Sequence, residues 1–305
     1  MNERLETYID WMLQRAPDLS GLRFAVDCSN GMSSLLVRRV FSGAEIVIND
    51  TPDGTFPAHS PNPLAADARE QLAALVCERT LDCGVIFDGD ADRCMFVDER
   101  GAFVQPDYLI PVVARGADRR GKVLHDVRTS RGAIEELVRM GCEPVMVPVG
   151  HAFAKPILRK VGAVCGGELA GHYYFSEFFG CDSGVLAALR ILGEVAAAKR
   201  RGETFSAMMR PISGRYANSG ELNYRVADKD AAIARALAVA AKELPPETSR
   251  SEIDGIRIEY AEGWVNIRKS NTEPFLRLIV ECDTPERLAV WVRVLERAIG
   301  GEAAA

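Results

Sequence analysis

CGVIFDGDADR, residues 83–93, runs from an unbroken apolar stretch straight into three aspartates at alternate positions, Asp88, Asp90 and Asp92. An apolar run of this length, with no polar alternation, reads as a β-strand buried on both faces. In a sheet of that kind, ligands gather at the carboxyl ends of the strands, which is where the aspartates fall.

Working outward, the β-rich runs LRFAVDC (22–28) and AEIVIND (44–50) alternate with helix-like segments at 33–41 and 64–78. That alternation predicts a helix-covered α/β unit. The rhythm restarts with KVLHDV (122–127), a helix over 131–140, EPVMVPV (143–149), a helix after His151, and AVCGG (163–167). After Ile212 the order changes: a helix over 228–243 precedes IRIEY (256–260), GWVNIRK (263–269) and FLRLIVE (275–281), and a helix over 285–299 follows. The expectation is therefore an α/β fold: two tandem α/β domains with mixed sheets, residues 1–103 and 104–210, followed by a smaller α+β domain with an antiparallel sheet, residues 211–305.

The 305 residues are 48% hydrophobic, and the formal charge is −6. With no block of Lys and Arg, the balance argues against a nucleic-acid surface and leaves any anionic ligand to be held locally. The N-terminal MNERLETYIDWMLQR reads as an amphipathic helix and not a signal peptide. The most apolar helical stretch, 185–198, is interrupted by Arg190 and Glu194. It is also shorter than the ~20 residues a membrane span needs. Eight cysteines without a C-x-x-C pair read as reduced thiols, and the expected setting is the cytoplasm, with no membrane partner.

Asp88, Asp90 and Asp92 on a tight turn can aim three hard oxygen donors at one point, the chemistry of a Mg²⁺ site. An EF-hand is excluded because Arg93 stands where the loop needs glycine and a strand precedes it instead of a helix. A phosphatase of the haloacid dehalogenase type, with Asp88 as nucleophile, fits the same loop. Gly167-Glu168-Leu169-Ala170-Gly171-His172 offers a carboxylate and an imidazole to sugar hydroxyls, or is an ordinary turn. His151 and Lys155 supply a proton-transfer group and a cation, or mark a helix start. Arg268, Ser270, Asn271 and Thr272 carry phosphate-binding groups, or form a polar hairpin turn. Asp107, before a helix, reads as an N-cap.

Five segments in register, DGTFPAHSPNP (53–63), FDGDADR (87–93), VGHAFAK (149–155), GGELAGHYYF (166–175) with CDSG (181–184), and RKSNTEP (268–274), make the chain similar to the phosphomannomutase/phosphoglucomutase family of α-D-phosphohexomutases. The resemblance covers about Tyr8 to Ile299 and implies interconversion of hexose 1-phosphate and hexose 6-phosphate through a bisphosphate. It implies Mg²⁺ on Asp88, Asp90 and Asp92, with Arg93 facing the transferring phosphoryl group and His151 and Lys155 near the proton transfers. Glu168 and His172 then match the sugar loop, and Arg268, Ser270, Asn271 and Thr272 the loop holding the non-reacting phosphate.

The resemblance implies a phosphoserine nucleophile in a domain that precedes the three matched here. The expectation is that these residues are inactive alone: either a separately encoded phosphoserine domain completes them, or they form a non-catalytic remnant that binds sugar phosphate and Mg²⁺. His59-Ser60-Pro61-Asn62-Pro63 is a superficial mimic of that nucleophile loop. One departure is Ala170, where the family's sugar loop carries serine; one lost neutral hydrogen bond costs roughly 0.5–1.5 kcal/mol.

Overall fold

The strands Phe24–Asp27, Cys83–Phe87 and Cys94–Asp98 are buried at every position, as strands clad on both faces are. In the computed structural model, which describes residues 3–117, 120–270 and 273–304, they form the centre of a five-stranded sheet. Its order is Ile46–Ile48, Phe24–Asp27, Cys83–Phe87, Cys94–Asp98, Phe103–Val104. The first three are parallel and the last two antiparallel, so the sheet is mixed.

The second unit repeats this plan. Its order is Glu143–Val147, Lys122–Asp126, Cys165–Gly167, Tyr173–Phe175, Cys181–Asp182, again three parallel strands followed by antiparallel ones. In each unit the third strand turns back into the fourth through a hairpin. The first hairpin carries Asp88 to Arg93 and the second Glu168 to His172, so the two chemical loops are topological equivalents.

Helix Gly184–Arg200 holds the units together. Ser183 caps it by accepting the Leu186 N–H at 3.1 Å. Val185, Leu189 and Leu192 join Phe96 of the first sheet and Tyr173 of the second in one apolar core. Gly184 is required by close approach, because a Cβ there would lie 2.6 Å from the Arg93 carbonyl oxygen.

The third unit is an antiparallel sheet in the order Ser249–Ser251, Ile256–Tyr260, Gly263–Lys269, Phe275–Cys282, Leu222–Arg225, Glu302–Ala304. Helices Lys229–Glu243 and Pro285–Ile299 close its core around Trp291 and Leu295. It docks through buried polar contacts: Arg257, 1% exposed, donates to the Val127 and Thr129 carbonyls at 2.7 and 2.9 Å. Arg131 donates its backbone N–H to Glu281 at 2.8 Å. Among the described residues, no helix is long and apolar enough to cross a membrane.

Three local expectations differ from what forms. Segment 33–41 is a 3₁₀ turn, Met32–Leu35, followed by one short helical turn, Val37–Val40. Its entry is tied down where Met32 donates its N–H to the Gly89 carbonyl at 2.9 Å. Arg268 and Lys269 end strand Gly263–Lys269 instead of standing in the loop. Asp107 lies inside the 3₁₀ turn Pro106–Leu109 with Gln105 at the cap position, and its carboxylate accepts the Ser130 N–H from another element at 2.9 Å.

Burial pushes the Asp107 carboxyl up to about 7. The folded protein therefore retains a proton that the unfolded chain sheds near pH 4, and stability from this group falls as pH rises between about 4 and 7. Asp107→Asn removes that loss. Urea unfolding is expected to show the variant more stable than wild type at pH 8, by up to about 4 kcal/mol, with the advantage vanishing at pH 4.

Candidate active site

Asp88 leaves strand Cys83–Phe87 fully buried. Its Oδ1 accepts the Arg93 backbone N–H at 3.1 Å and its Oδ2 accepts Arg93 Nε at 2.6 Å. Asp88 thus carries its own guanidinium. Burial pushes its pKa up, against the pull of Arg93. Arg93 is held from its far side by Asn62 Oδ1 at 3.3 Å, which ties segment 60–63 to the loop. Asp88, Asp90 and Asp92 each offer an oxygen within 4.8 Å of the others. That all-oxygen donor set fits a hard divalent cation with its remaining positions filled by water.

The second hairpin closes with Glu168 donating its N–H to the His172 carbonyl at 3.0 Å. Glu168 Oε1 accepts the Tyr174 hydroxyl at 2.6 Å and the Gly150 N–H at 3.2 Å. Burial and the Asp126 carboxylate push its pKa up.

The two hairpins touch through their backbones. Arg93 and His172 form an antiparallel bridge, and Cys94 donates its N–H to the Gly171 carbonyl at 3.3 Å. Gly171 sits at φ 88°, in the region that favours glycine.

Where they meet, Asp182 gathers three predicted residues. Its side chain is 7% exposed and lies 2.8 Å from Lys155 Nζ, 3.3 Å from His172 Nδ1 and 3.8 Å from His151 Nδ1. Burial pushes the Asp182 carboxyl up, but the neighbouring His172 ring and the Lys155 ammonium outweigh it and hold it down to about 2. His172 Nδ1 is also 3.7 Å from Asp92. Burial lowers the His172 pKa, yet the nearby Asp182, Asp92 and Glu168 carboxylates raise it above the usual imidazole value overall.

The predicted phosphate loop is reached through a chain of ions. Arg128 Nη2 is 2.6 Å from Asp126 and 3.9 Å from Glu168, and its Nη1 is 3.3 Å from Glu221. Glu221 in turn binds Arg268 Nη2 at 3.0 Å and Arg277 Nη1 at 2.8 Å. Ser270 Oγ accepts the Glu273 N–H at 3.2 Å. Asn271 and Thr272 lie outside the described residues. The structure thus brings Asp88, Asp90, Asp92, Arg93, His151, Lys155, Glu168 and His172 into one cluster and attaches Arg268 to it through Arg128 and Glu221. Sequence reasoning gave no role to Asp182, Arg128, Glu221, Tyr174 or Asn62. Asp182 was accessible, since CDSG follows GGELAGHYYF at hairpin distance and its antiparallel register sets Asp182 opposite Tyr174.

Residues 6–101, 105–215 and 221–296 match, in order, the family models for phosphoglucomutase/phosphomannomutase alpha/beta/alpha domain II, alpha/beta/alpha domain III and the C-terminal domain. The chain belongs to this phosphohexomutase family. It is 35% identical over 289 residues to a phosphomannomutase of Salmonella montevideo, covering 90% of this chain and 62% of that protein. A phosphoglucomutase/phosphomannomutase family structure from Burkholderia thailandensis superimposes with a TM-score of 0.83 at 28% identity, covering 98% of this chain and 65% of that one. The fold is shared with Aspergillus fumigatus N-acetylphosphoglucosamine mutase, described in complex with GlcNAc-6P and magnesium, at a TM-score of 0.66 and 14% identity, covering 95% of this chain and 68% of that one. The chain thus spans less than two thirds of the length of the Salmonella relative.

Asp182→Asn is expected to lower the pKa of His172, because burial then acts with less opposition. Histidine-selective NMR titration measures it; an unchanged pKa would contradict the assigned pairing.

Proposed function

We propose that this chain carries the metal, sugar and phosphate loops of a mutase that interconverts hexose 1-phosphate and hexose 6-phosphate through a bisphosphate, acting with a phosphoserine-bearing domain in the cytoplasm. The observation that carries this reading is the backbone junction of the two hairpins, which sets Asp92 and Arg93 against His172. In this reading residues 1–103 supply the acidic loop, 104–210 the sugar loop and 211–305 the phosphate loop.

Asp88, Asp90 and Asp92 would hold Mg²⁺, whose charge would offset that developing on a transferring phosphoryl group. The chain's own part is positioning and charge. Arg93, steered by Asp88 and Asn62, offers its remaining N–H groups to the phosphoryl oxygens. Glu168, fixed by Tyr174 and Gly150, accepts from a sugar hydroxyl, and His172 lies on the same hairpin. His151, Lys155 and His172 surround Asp182 as the groups able to hold or release a proton. Arg268, Ser270, Asn271 and Thr272 take the distal phosphate, while Ala170 leaves one sugar contact fewer. The Asp88-nucleophile phosphatase is the competing reading, and the family models that match this chain are those of the mutases.

A coupled assay with mannose 1-phosphate, Mg²⁺ and glucose 1,6-bisphosphate tests the proposal. The 305-residue chain is expected to give no 6-phosphate alone, and to turn over once a separately expressed phosphoserine domain is added. Turnover by the chain alone, lost in Ser60→Ala, would place the nucleophile in segment 59–63. Release of inorganic phosphate, lost in Asp88→Asn, would favour the phosphatase.

A further inference from the structure

Arg268 and Arg277 stand directly opposite each other in the antiparallel pairing of Gly263–Lys269 with Phe275–Cys282. Like charges in that register repel, and here one of them is almost wholly buried, since the Arg268 side chain is only 2% exposed. Glu221 answers both. It precedes strand Leu222–Arg225, the other neighbour of Phe275–Cys282, and its two oxygens divide between Arg277 and Arg268. Arg128 also reaches Glu221 but keeps its own carboxylate, Asp126. Among the described residues, Arg268 has no other carboxylate within ion-pair distance.

Glu273 also pairs with Arg277, through Nη2, yet the two carboxylates do not fill this pair of forks. Arg268 Nε and Arg277 Nε are both buried without a hydrogen-bond partner. Two guanidiniums with donors to spare suit an anion with three terminal oxygens and up to two charges better than they suit a carboxylate with two oxygens and one. Glu221 itself stands at the margin, its side chain 19% exposed, on the chain just ahead of its strand.

We propose that Glu221 is an internal occupant of a phosphate seat formed by Arg268 and Arg277, and that an incoming phosphate monoester displaces it. The proposal rests on reading this strand end as the phosphate-binding part of the chain. It adds Arg277 as a second binding residue and makes Glu221 a built-in competitor that lowers affinity while keeping the empty seat neutralised. Because Glu221 also holds Arg128, its departure would release the third unit from one of its ties to the second whenever ligand enters.

Calorimetric titration with inorganic phosphate tests the competition. With the competitor gone, Glu221→Gln is expected to bind phosphate roughly tenfold more tightly than wild type, the factor by which the available seat increases. The gain is expected to disappear in Glu221→Gln/Arg277→Gln. If Glu221→Gln is destabilised by its uncompensated arginines, phosphate is expected to raise its melting temperature more than it raises that of wild type. Unchanged or weaker binding by folded Glu221→Gln would overturn the proposal, as would a gain that survives in the double variant or a destabilised variant that phosphate does not restore. The readout needs no sugar and no turnover, so a gain in phosphate affinity without hexose phosphate binding would count against the mutase reading and leave the seat standing.

Discussion

The hydrogen bond from Cys94 N–H to the Gly171 carbonyl, with the Arg93–His172 bridge beside it, is the constraint around which the molecule is arranged. It joins two hairpins that occupy the same topological position in two copies of one sheet plan. Helix Gly184–Arg200 starts against this junction, close enough that only glycine fits at its first residue. A backbone contact cannot be lost by a rotamer change, so the acidic loop and the Glu168–His172 hairpin are held in fixed register. Pre-set geometry of this kind removes orientational freedom that a reaction would otherwise have to freeze out.

Around that junction, buried carboxylates are each answered by a cation from elsewhere in the chain. Asp88 has Arg93, Asp182 has Lys155 and His172, Asp126 has Arg128, and Glu221 has Arg268 and Arg277. Such pairs add little net stability when intact, but removing one partner strands a buried charge at a cost of about 3–5 kcal/mol. Their effect is specificity of arrangement. Arg128 is the clearest case, since one guanidinium lies within ion-pair distance of the strand-end Asp126, Glu168 of the second hairpin and Glu221 of the third unit. The loops that would meet a ligand's two ends are thereby connected by charge as well as by the sheets.

The fold was legible because its signals are local. Apolar runs such as CGVIF and the helical segments between them need no knowledge of distant residues, and the change of rhythm after Ile212 marks the antiparallel unit. The acidic loop was legible for the same reason, being contiguous. What escaped were roles that exist only through long-range pairing. Asp182 acquires its role by meeting Lys155 and His172 across a sheet edge, and Glu221 by lying beside two arginines 47 and 56 residues away in sequence. Asp107 looked like a helix cap because Pro106 and the turn after it imitate one, while its actual partner, the Ser130 N–H, lies 23 residues further on. Arg268 was expected in a loop, but it is the last of six consecutive buried residues of its strand.

The central claim is that the two hairpins serve one ligand. Mn²⁺ substituted for Mg²⁺ offers a direct measurement, because a paramagnetic ion at Asp88, Asp90 and Asp92 broadens the proton resonances of a sugar held against Glu168 and His172. The account predicts strong, Mn²⁺-dependent broadening of the ring protons of mannose 1-phosphate by the wild-type chain, largely lost in Asp90→Asn while the sugar phosphate still binds. Sharp ring resonances with both Mn²⁺ and mannose 1-phosphate bound, or broadening indifferent to Asp90→Asn, would contradict it.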